Sequence, residues 1–193
     1  MNNLERQYDL FNNKGVNFSN NNALKDININ KNVIKEWQTK IIHHQSPLFK
    51  YGYKNINQKS LFESNPEKSN ETFNPLDLTP LPLSFWRLPK KMHEGPAVYF
   101  VMDKIINSDK NIILYIGETV SAAKRWKGEH DCKGYLSSYS EILQKANLTT
   151  KLNIRFWLDV PIDTKGRRKL EQKLIQAWLP PFNKETRGIW ATP

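Results

Sequence analysis

The chain has 193 residues, with 29 lysines and arginines against 19 aspartates and glutamates, which gives a formal net charge of +10. This excess attracts polyanions such as phosphate backbones or anionic lipid. Its start lacks the apolar core of a secretory signal, and its apolar runs, such as residues 97–102 and 112–116, are far shorter than the roughly 20 residues that span a bilayer. We therefore expect an intracellular, cytoplasmic protein whose partner is nucleic acid, most simply DNA, and no membrane.

The single cysteine limits the metal chemistry. Cys132 has no second cysteine to pair with, so an intrachain disulfide and a cysteine-rich zinc site are both excluded. Any metal must use oxygen or imidazole ligands, which suit hard ions. The expected cofactor is therefore Mg²⁺ or Mn²⁺.

Residues 1–94 are expected to form an asparagine-rich, partly irregular N-terminal extension. One amphipathic helix is predicted over residues 31–43, because apolar side chains recur there at helical spacing: Val33, Ile34, Trp37 and Ile41. Its apolar face needs a partner, which can be the C-terminal domain, a second subunit or nothing stable. The proline-rich stretch 75–96 predicts an extended connector whose apolar residues lie against the next domain.

Residues 95–193 are expected to form the second domain, which begins with a β-hairpin. Two runs rich in β-branched and aromatic residues, 97–102 and 112–116, flank a polar turn. Both faces of each run are apolar, which indicates a sheet that is covered on both sides.

The remaining elements follow from capping residues and periodicity. A helix capped by Thr119 or Ser121 is predicted up to residue 128, and a second over 136–146. Alternating residues predict a strand over 154–160, and a last helix begins after Asp163 or Thr164 and ends before the proline pair 180–181. The predicted fold is α+β: a small three-stranded antiparallel sheet flanked by helices, in the order β-β-α-α-β-α.

Glu171 is the first candidate for chemistry. Its spacing from the apolar residues of the last helix places it at the edge of the inward-packing face, where a carboxylate is costly unless it is compensated. One interpretation is a salt bridge with Arg167 or Arg168. The other is the single protein ligand of a metal site, completed by waters and phosphate.

Arg125 is the second candidate, in the basic cluster that also contains Lys124 and Lys127. A planar guanidinium can hold two phosphate oxygens and offset charge that develops on phosphorus. The alternative is a solvated helix face on which Arg125 pairs with Glu129, a contact worth little.

Tyr99 and Tyr115 lie on the two predicted hairpin strands, where facing side chains come into contact. Each is either a core residue or, beside an arginine and a metal, a phenol with a pKa depressed enough to take a proton from water. His130 is a further candidate base, or a solvated loop residue. Asn183 is either a brace between the helix end and the loop that carries Gly117, or an ordinary turn residue.

Five separated features occur together in order and spacing: Tyr99, the Tyr115-Ile-Gly117 strand end, Arg125, Glu171 and Asn183. This constellation, over residues 95 to about 185, resembles the GIY-YIG nuclease superfamily. In the first motif Ala97-Val98-Tyr99 replaces Gly-Ile-Tyr. Glu118 stands where repair-type members carry a lysine that faces the phosphate, and we interpret it as a solvent-exposed loop acid, with a place near the metal as the alternative.

The resemblance implies a role for each matching residue. Glu171 would ligate one divalent ion, Arg125 would engage the scissile phosphate, and Tyr115 would deprotonate or orient the attacking water with help from Tyr99. Gly117 would allow close backbone approach and Asn183 would brace the site; with Lys124 and Lys127 these are the candidate substrate-binding residues. The implied products carry a 5′-phosphate and a 3′-hydroxyl.

The leading hypothesis is therefore a divalent-metal-dependent endonuclease that hydrolyses phosphodiester bonds in DNA. The alternative is a nucleic-acid-binding module that keeps the fold without cleaving, with Trp86, Trp126 and Trp157 available for base stacking. A third hypothesis is a partner-docking or dimerisation role for the N-terminal half.

Overall fold

The computed structural model describes residues 31–54, 72–87, 95–105, 108–127 and 131–191, and the fold within them is α+β. The asparagine-rich start, residues 1–30, lies outside the described residues. Three short 3₁₀ turns, Pro75–Asp77, Phe85–Arg87 and Arg187–Trp190, accompany the helices and strands. In chain order those elements are α1 (Lys31–Tyr51), β1 (Tyr53–Lys54), β2 (Thr72–Phe73), β3 (Ala97–Ile105), β4 (Lys110–Thr119), α2 (Ala122–Lys127), α3 (Asp131–Lys145), β5 (Leu152–Trp157) and α4 (Thr164–Trp178).

The central sheet has the antiparallel strand order β4-β3-β5, so the predicted hairpin is confirmed and its strands are longer than expected. Alternate residues of β3 enter two different cores, because successive side chains of a strand point to opposite faces. Tyr99 and Val101 pack in the core that contains residues of α1, α2 and α3, whereas Val98 and Phe100 pack in the core that contains residues of α4. The prediction of a sheet covered on both faces is therefore confirmed.

Helix α1 supplies part of the first core. Trp37 and Ile41 are buried there, and the indole of Trp37 lies 5.9 Å from the ring of Tyr139. The described part of the N-terminal segment thus packs on the rest of the chain, while the division into domains at residue 94 stays a prediction. The helix also continues beyond residue 43, the predicted end, and passes through Pro47.

The outer edge of β4 is closed by two side-chain amides. Gln45 of α1 accepts from the backbone N–H of Ile113 at 2.7 Å and donates to its carbonyl at 3.1 Å. Asn183 likewise accepts from the backbone N–H of Ile116 at 2.9 Å and donates to its carbonyl at 2.8 Å. The backbone N–H of Phe182 donates to the carbonyl of Leu114 at 3.0 Å. These contacts satisfy backbone groups that an edge strand otherwise leaves unpaired.

The opposite edge, β5, is bordered by the proline-rich connector. Leu81 exchanges two backbone hydrogen bonds of 2.9 Å with Ile154, and Phe85 is buried. Arg155 donates to the carbonyl oxygens of Leu76 and Leu78 at 2.7 and 2.6 Å. The prediction that the connector lies against the domain is confirmed for its described residues 75–87, which contain two 3₁₀ turns and are not extended throughout.

Two predicted boundaries differ at β5 and α3. Strand β5 ends at Trp157, not at residue 160, because Leu158 is 51% exposed and no longer belongs to a packed face. Helix α3 begins at Asp131, earlier than residue 136. The predicted cap of α4 is confirmed, since Asp163 Oδ1 accepts from the Gly166 N–H at 2.7 Å. Across the described residues, no helix has the length and apolarity needed to cross a bilayer.

Candidate active site

Tyr99 and Tyr115 form a stacked pair at one end of the hairpin. Their ring centroids are 6.0 Å apart, and Tyr99 is only 1% exposed. Gly117 lies directly opposite Tyr99 across the ladder. A Cβ at Gly117 would clash with Tyr99 Cζ and Oη and would lie 2.9 Å from Tyr115 Cε1. Gly117 therefore allows the close approach of the Tyr99 ring, whereas the approach of substrate or a helix to its backbone stays a prediction.

The two phenols are hydrogen-bonded to each other, and Arg125 is hydrogen-bonded to Tyr99. Burial raises the pKa of Tyr99 well above its usual value, and it also raises the pKa of Tyr115. The guanidinium of Arg125 lowers both pKa values, but by less than burial raises them. Both phenols are therefore neutral at physiological pH, and the expectation of a depressed phenol pKa beside an arginine and a metal stays a prediction.

The helix that carries Arg125 is anchored by the neighbouring residue, Trp126. The Trp126 indole is 3% exposed, packs edge-on against Tyr99 at 5.8 Å between centroids, and donates its N–H to the Leu83 carbonyl at 2.7 Å. This anchor fixes the short helix α2 between the sheet and the connector. The proposed use of Trp126 for base stacking is wrong, because the ring is buried against the protein.

Helix α2 carries three basic residues. Lys124, Arg125 and Lys127 are all exposed, and Arg125 is the one that is hydrogen-bonded to Tyr99. His130 and Glu129, the predicted alternative base and the predicted ion-pair partner, lie outside the described residues. The roles of these side chains stay predictions.

Glu171 projects from α4 towards the same end of the sheet. Its Oε1 accepts from the backbone N–H of Glu118 at 3.1 Å. Burial, followed by the nearby charge of Glu118, raises the pKa of Glu171 to about 7. The charge of Glu171 in turn raises the pKa of Tyr115, so the carboxyl and the phenol are close enough to interact.

The salt bridge that was the alternative for Glu171 goes to Glu118 instead. Arg167 Nε donates to Glu118 Oε2 at 2.7 Å, and Arg168 Nε lies 3.5 Å from Oε1. The Glu118 side chain is 15% exposed and lies on β4, so its interpretation as an exposed loop acid is wrong. Both of its oxygens face arginines, whereas no ion pair within 4.0 Å is described for Glu171, on which Arg168 has a lesser, pKa-lowering effect.

Asn183 lies at the predicted place. Its amide bridges the end of α4 to β4 one residue before Gly117, through both backbone groups of Ile116. It is buried, so it stabilises the strand end and does not present its amide to solvent. The bracing position is therefore observed, and a role of Asn183 in substrate binding stays a prediction.

The resemblance implies a divalent cation at this site. No group of three or more acidic, histidine or cysteine side chains that could hold a metal occurs within the described ranges. The residues nevertheless fit a one-ligand site, because Glu171 is a half-buried carboxylate whose pKa is raised first by burial and then by the charge of Glu118. A cation that completes its coordination with water and phosphate would supply the missing compensation.

Two contacts at the site were not predicted from the sequence: the ion pair of Arg167 with Glu118 and the packing of Trp126 against Tyr99. Arg167 is fully buried and also donates to the carbonyl of Ile162 at 2.8 Å, which ties the start of α4 to the preceding loop. Its spacing of three and seven residues from Leu170 and Leu174 put it on the apolar face, a signal that could have found it. The burial of Trp126 had no comparable signal, because α2 is only six residues long.

Comparison with protein-family models, curated proteins and solved structures gave no significant match. The relationship to the GIY-YIG superfamily therefore stays a prediction that depends on the residues themselves.

Proposed function

We propose that the protein is a GIY-YIG-type endonuclease that uses a divalent cation to hydrolyse phosphodiester bonds in DNA. The observation that supports this most directly is the convergence of Tyr99, Tyr115, Arg125 and Glu171. They come from β3, β4, α2 and α4, and their charges or hydrogen bonds affect one another. Separate elements rarely bring two phenols, a guanidinium and a poorly compensated carboxylate together for packing alone.

Each residue has a role that its surroundings allow. The exposed guanidinium of Arg125 binds the scissile phosphate and balances the charge that grows on its oxygens. Glu171 in its ionised form holds the cation. The neutral hydroxyl of Tyr115 orients the attacking water, while Tyr99 fixes the position of that hydroxyl through their hydrogen bond.

A bound Mg²⁺ would polarise the phosphate and lower the pKa of a coordinated water. The half-buried position of Glu171 next to Tyr115 brings the cation ligand and the water-orienting hydroxyl close together. The exposed lysines of α2, Lys124 and Lys127, attract the backbone on either side of the cut.

The test is nicking of supercoiled, branched and single-stranded DNA with Mg²⁺ or Mn²⁺. We expect Glu171→Gln and Arg125→Ala each to lower the rate by about 100-fold or more, the usual effect of removing a group that acts in the transition state. Tyr115→Phe removes only the hydroxyl and should lower the rate without preventing DNA binding.

Three matched controls separate the site from general charge and packing. Glu141→Gln and Lys165→Ala remove exposed charges from α3 and α4, and Tyr51→Phe removes an exposed hydroxyl from α1. All three should cleave at the wild-type rate. If wild type cleaves no substrate but binds DNA in a salt-sensitive way that Glu171→Gln leaves unchanged, the non-cleaving module is correct and the nuclease proposal is wrong.

A further inference from the structure

A groove lies beside the proposed site, between the Phe85–Arg87 turn and α3. Its volume is about 510 Å³. Trp126 contributes to its wall, and the same indole contacts Tyr99. Arg125, which is proposed to bind the scissile phosphate, precedes Trp126 on α2 and is hydrogen-bonded to the Tyr99 phenol whose ring Trp126 contacts.

The chemistry of the groove combines an aromatic surface with positive charge. Of the described residues that line it, the charged ones are Arg87 and Lys133, both cations. The Arg87 guanidinium lies 4.7 Å from the centroid of Trp86, and Lys133 Nζ lies 5.9 Å from that of Trp126. Trp86 is only partly buried, so it offers ring surface to the groove. Aromatic and guanidinium planes beside cations are what a nucleotide requires, because the base stacks and the phosphate is neutralised.

Stacking on Trp86 requires a base whose face is free. A base inside a duplex is covered on both faces by its neighbours, so it must leave the stack before it can lie against Trp86. The serine hydroxyls that line the groove, such as Ser84 and Ser137, can accept from or donate to a base edge.

We propose that this groove binds an unpaired nucleotide next to the scissile phosphate, so that the preferred substrate is DNA with a single-stranded flap or branch. This inference rests on the proposed nuclease function for the position of the cut, although binding in the groove can be measured without cleavage.

The experiment compares a blunt duplex with the same duplex that carries a short single-stranded thymidine flap. Binding is measured in the full chain with Glu171→Gln, which prevents cleavage during titration. We expect the flap to bind about 10-fold more tightly, within the range of one base stacked on an aromatic ring. Ser137→Trp fills the groove and should abolish this preference while duplex affinity stays unchanged.

Ser138→Trp is the matched control, since both serines are exposed on α3 and only Ser137 lines the groove. It should keep the preference for the flap. As a second pair, Trp86→Ala should lose the preference and Trp86→Phe should keep it.

Equal binding of the flap and the blunt duplex by the protein with Ser137 intact would overturn the inference. A preference for the flap that survives Ser137→Trp would overturn it as well, and that second result is also expected if the groove holds an apolar peptide side chain instead. Flap preference that depends on Ser137 in a protein without nuclease activity would support the groove and overturn the proposed function alone.

Discussion

Two carboxylates near opposite ends of β3 have very different surroundings. Asp103 is completely buried, yet it accepts hydrogen bonds from the hydroxyls of Tyr139 and Thr150, each at 2.8 Å, and from the backbone N–H of Lys151 at 2.7 Å. Tyr139 in turn accepts from Gln38 of α1 at 2.8 Å. This end of the sheet is a satisfied polar network that connects α1 and α3 to β3.

At the other end, Glu171 is less buried but less compensated. It receives the Glu118 N–H at 3.1 Å, and its pKa rises to about 7. The comparison teaches that burial alone does not indicate function. A buried acid with several donors stabilises the fold, whereas a half-buried acid that retains an electrostatic penalty is suited to receive a cation. Three predictions test this difference.

The largest effect on the free energy of unfolding is expected at the end of the sheet that contains Asp103. Asp103→Asn places an amide NH₂ where hydroxyl and N–H donors already point, which should lower the free energy of unfolding by about 3 kcal/mol. Urea unfolding measures it. Asp109→Asn is the control, because its ion pair with Lys104 at 2.6 Å is exposed and worth little and its positive φ is one that asparagine tolerates, so its midpoint should fall far less. Equal midpoints for both variants would contradict the structural role of Asp103.

A smaller effect is expected for Gly117→Ala at the other end. The added methyl group meets the Tyr99 ring, so we expect a loss of about 2 kcal/mol, typical of overpacking. Gly134→Ala on α3 meets no atom within 4 Å and should instead stabilise the helix. Unfolding of both variants in urea measures the contrast. If Gly117→Ala is neutral, the Tyr99 ring is not held against β4, and the tyrosine pair is not preorganised.

The smallest effect concerns Glu171 and depends on pH. With a folded pKa near 7 and an ordinary pKa near 4.5, the folded state binds its proton more tightly than the unfolded state, so stability falls as pH rises through this window. Glu171→Gln removes the penalty. Near pH 4.5 this variant should be as stable as wild type. Above pH 7 its free energy of unfolding should exceed that of wild type by about 1 kcal/mol, or about 2–4 °C in Tm, after allowance for solvent screening.

Thermal unfolding with and without Mn²⁺ extends this test. Above pH 7 the cation should raise the Tm of wild type and leave that of Glu171→Gln unchanged, because only the ionised carboxylate binds it. The control Glu141→Gln should show neither the gain at high pH nor a lost response to Mn²⁺. A penalty at Glu171 without any response to the cation would leave the carboxylate as a strained structural group and remove the proposed metal ligand.

Local patterns predicted much of the fold. The hairpin and α4 follow from residue type, periodicity and a cap that act within a few residues. The end of α1 could not be predicted, because Gln45 is held in the helix by contacts with Ile113 and with the Trp178 carbonyl at 2.9 Å, both distant in sequence. Strand β5 ends earlier than predicted. The alternation of apolar residues continues past Trp157, but Leu158 is exposed and no described element covers it.

The candidate site was less accessible to such patterns. Periodicity placed Tyr99, Tyr115 and Glu171 on their elements, but their grouping with Arg125 came only from the resemblance. The partner of Arg167 was not predictable, because two arginines and two glutamates allowed several pairings. Burial of the phenols, which raises their pKa values, depends on packing from α2 and α3 that no local pattern describes.

The two amides that close β4 have a consequence for how the chain must be handled. Gln45 is 68 residues before its partner Ile113, and Asn183 is 67 residues after Ile116. Until both distant segments have docked, an isoleucine-rich strand presents an open template to other chains, which is a common origin of aggregation. A fragment that begins at residue 95 would lack Gln45 and its two hydrogen bonds to Ile113. Aggregation of such a fragment would therefore reflect the exposed edge of β4 and not a property of the intact protein.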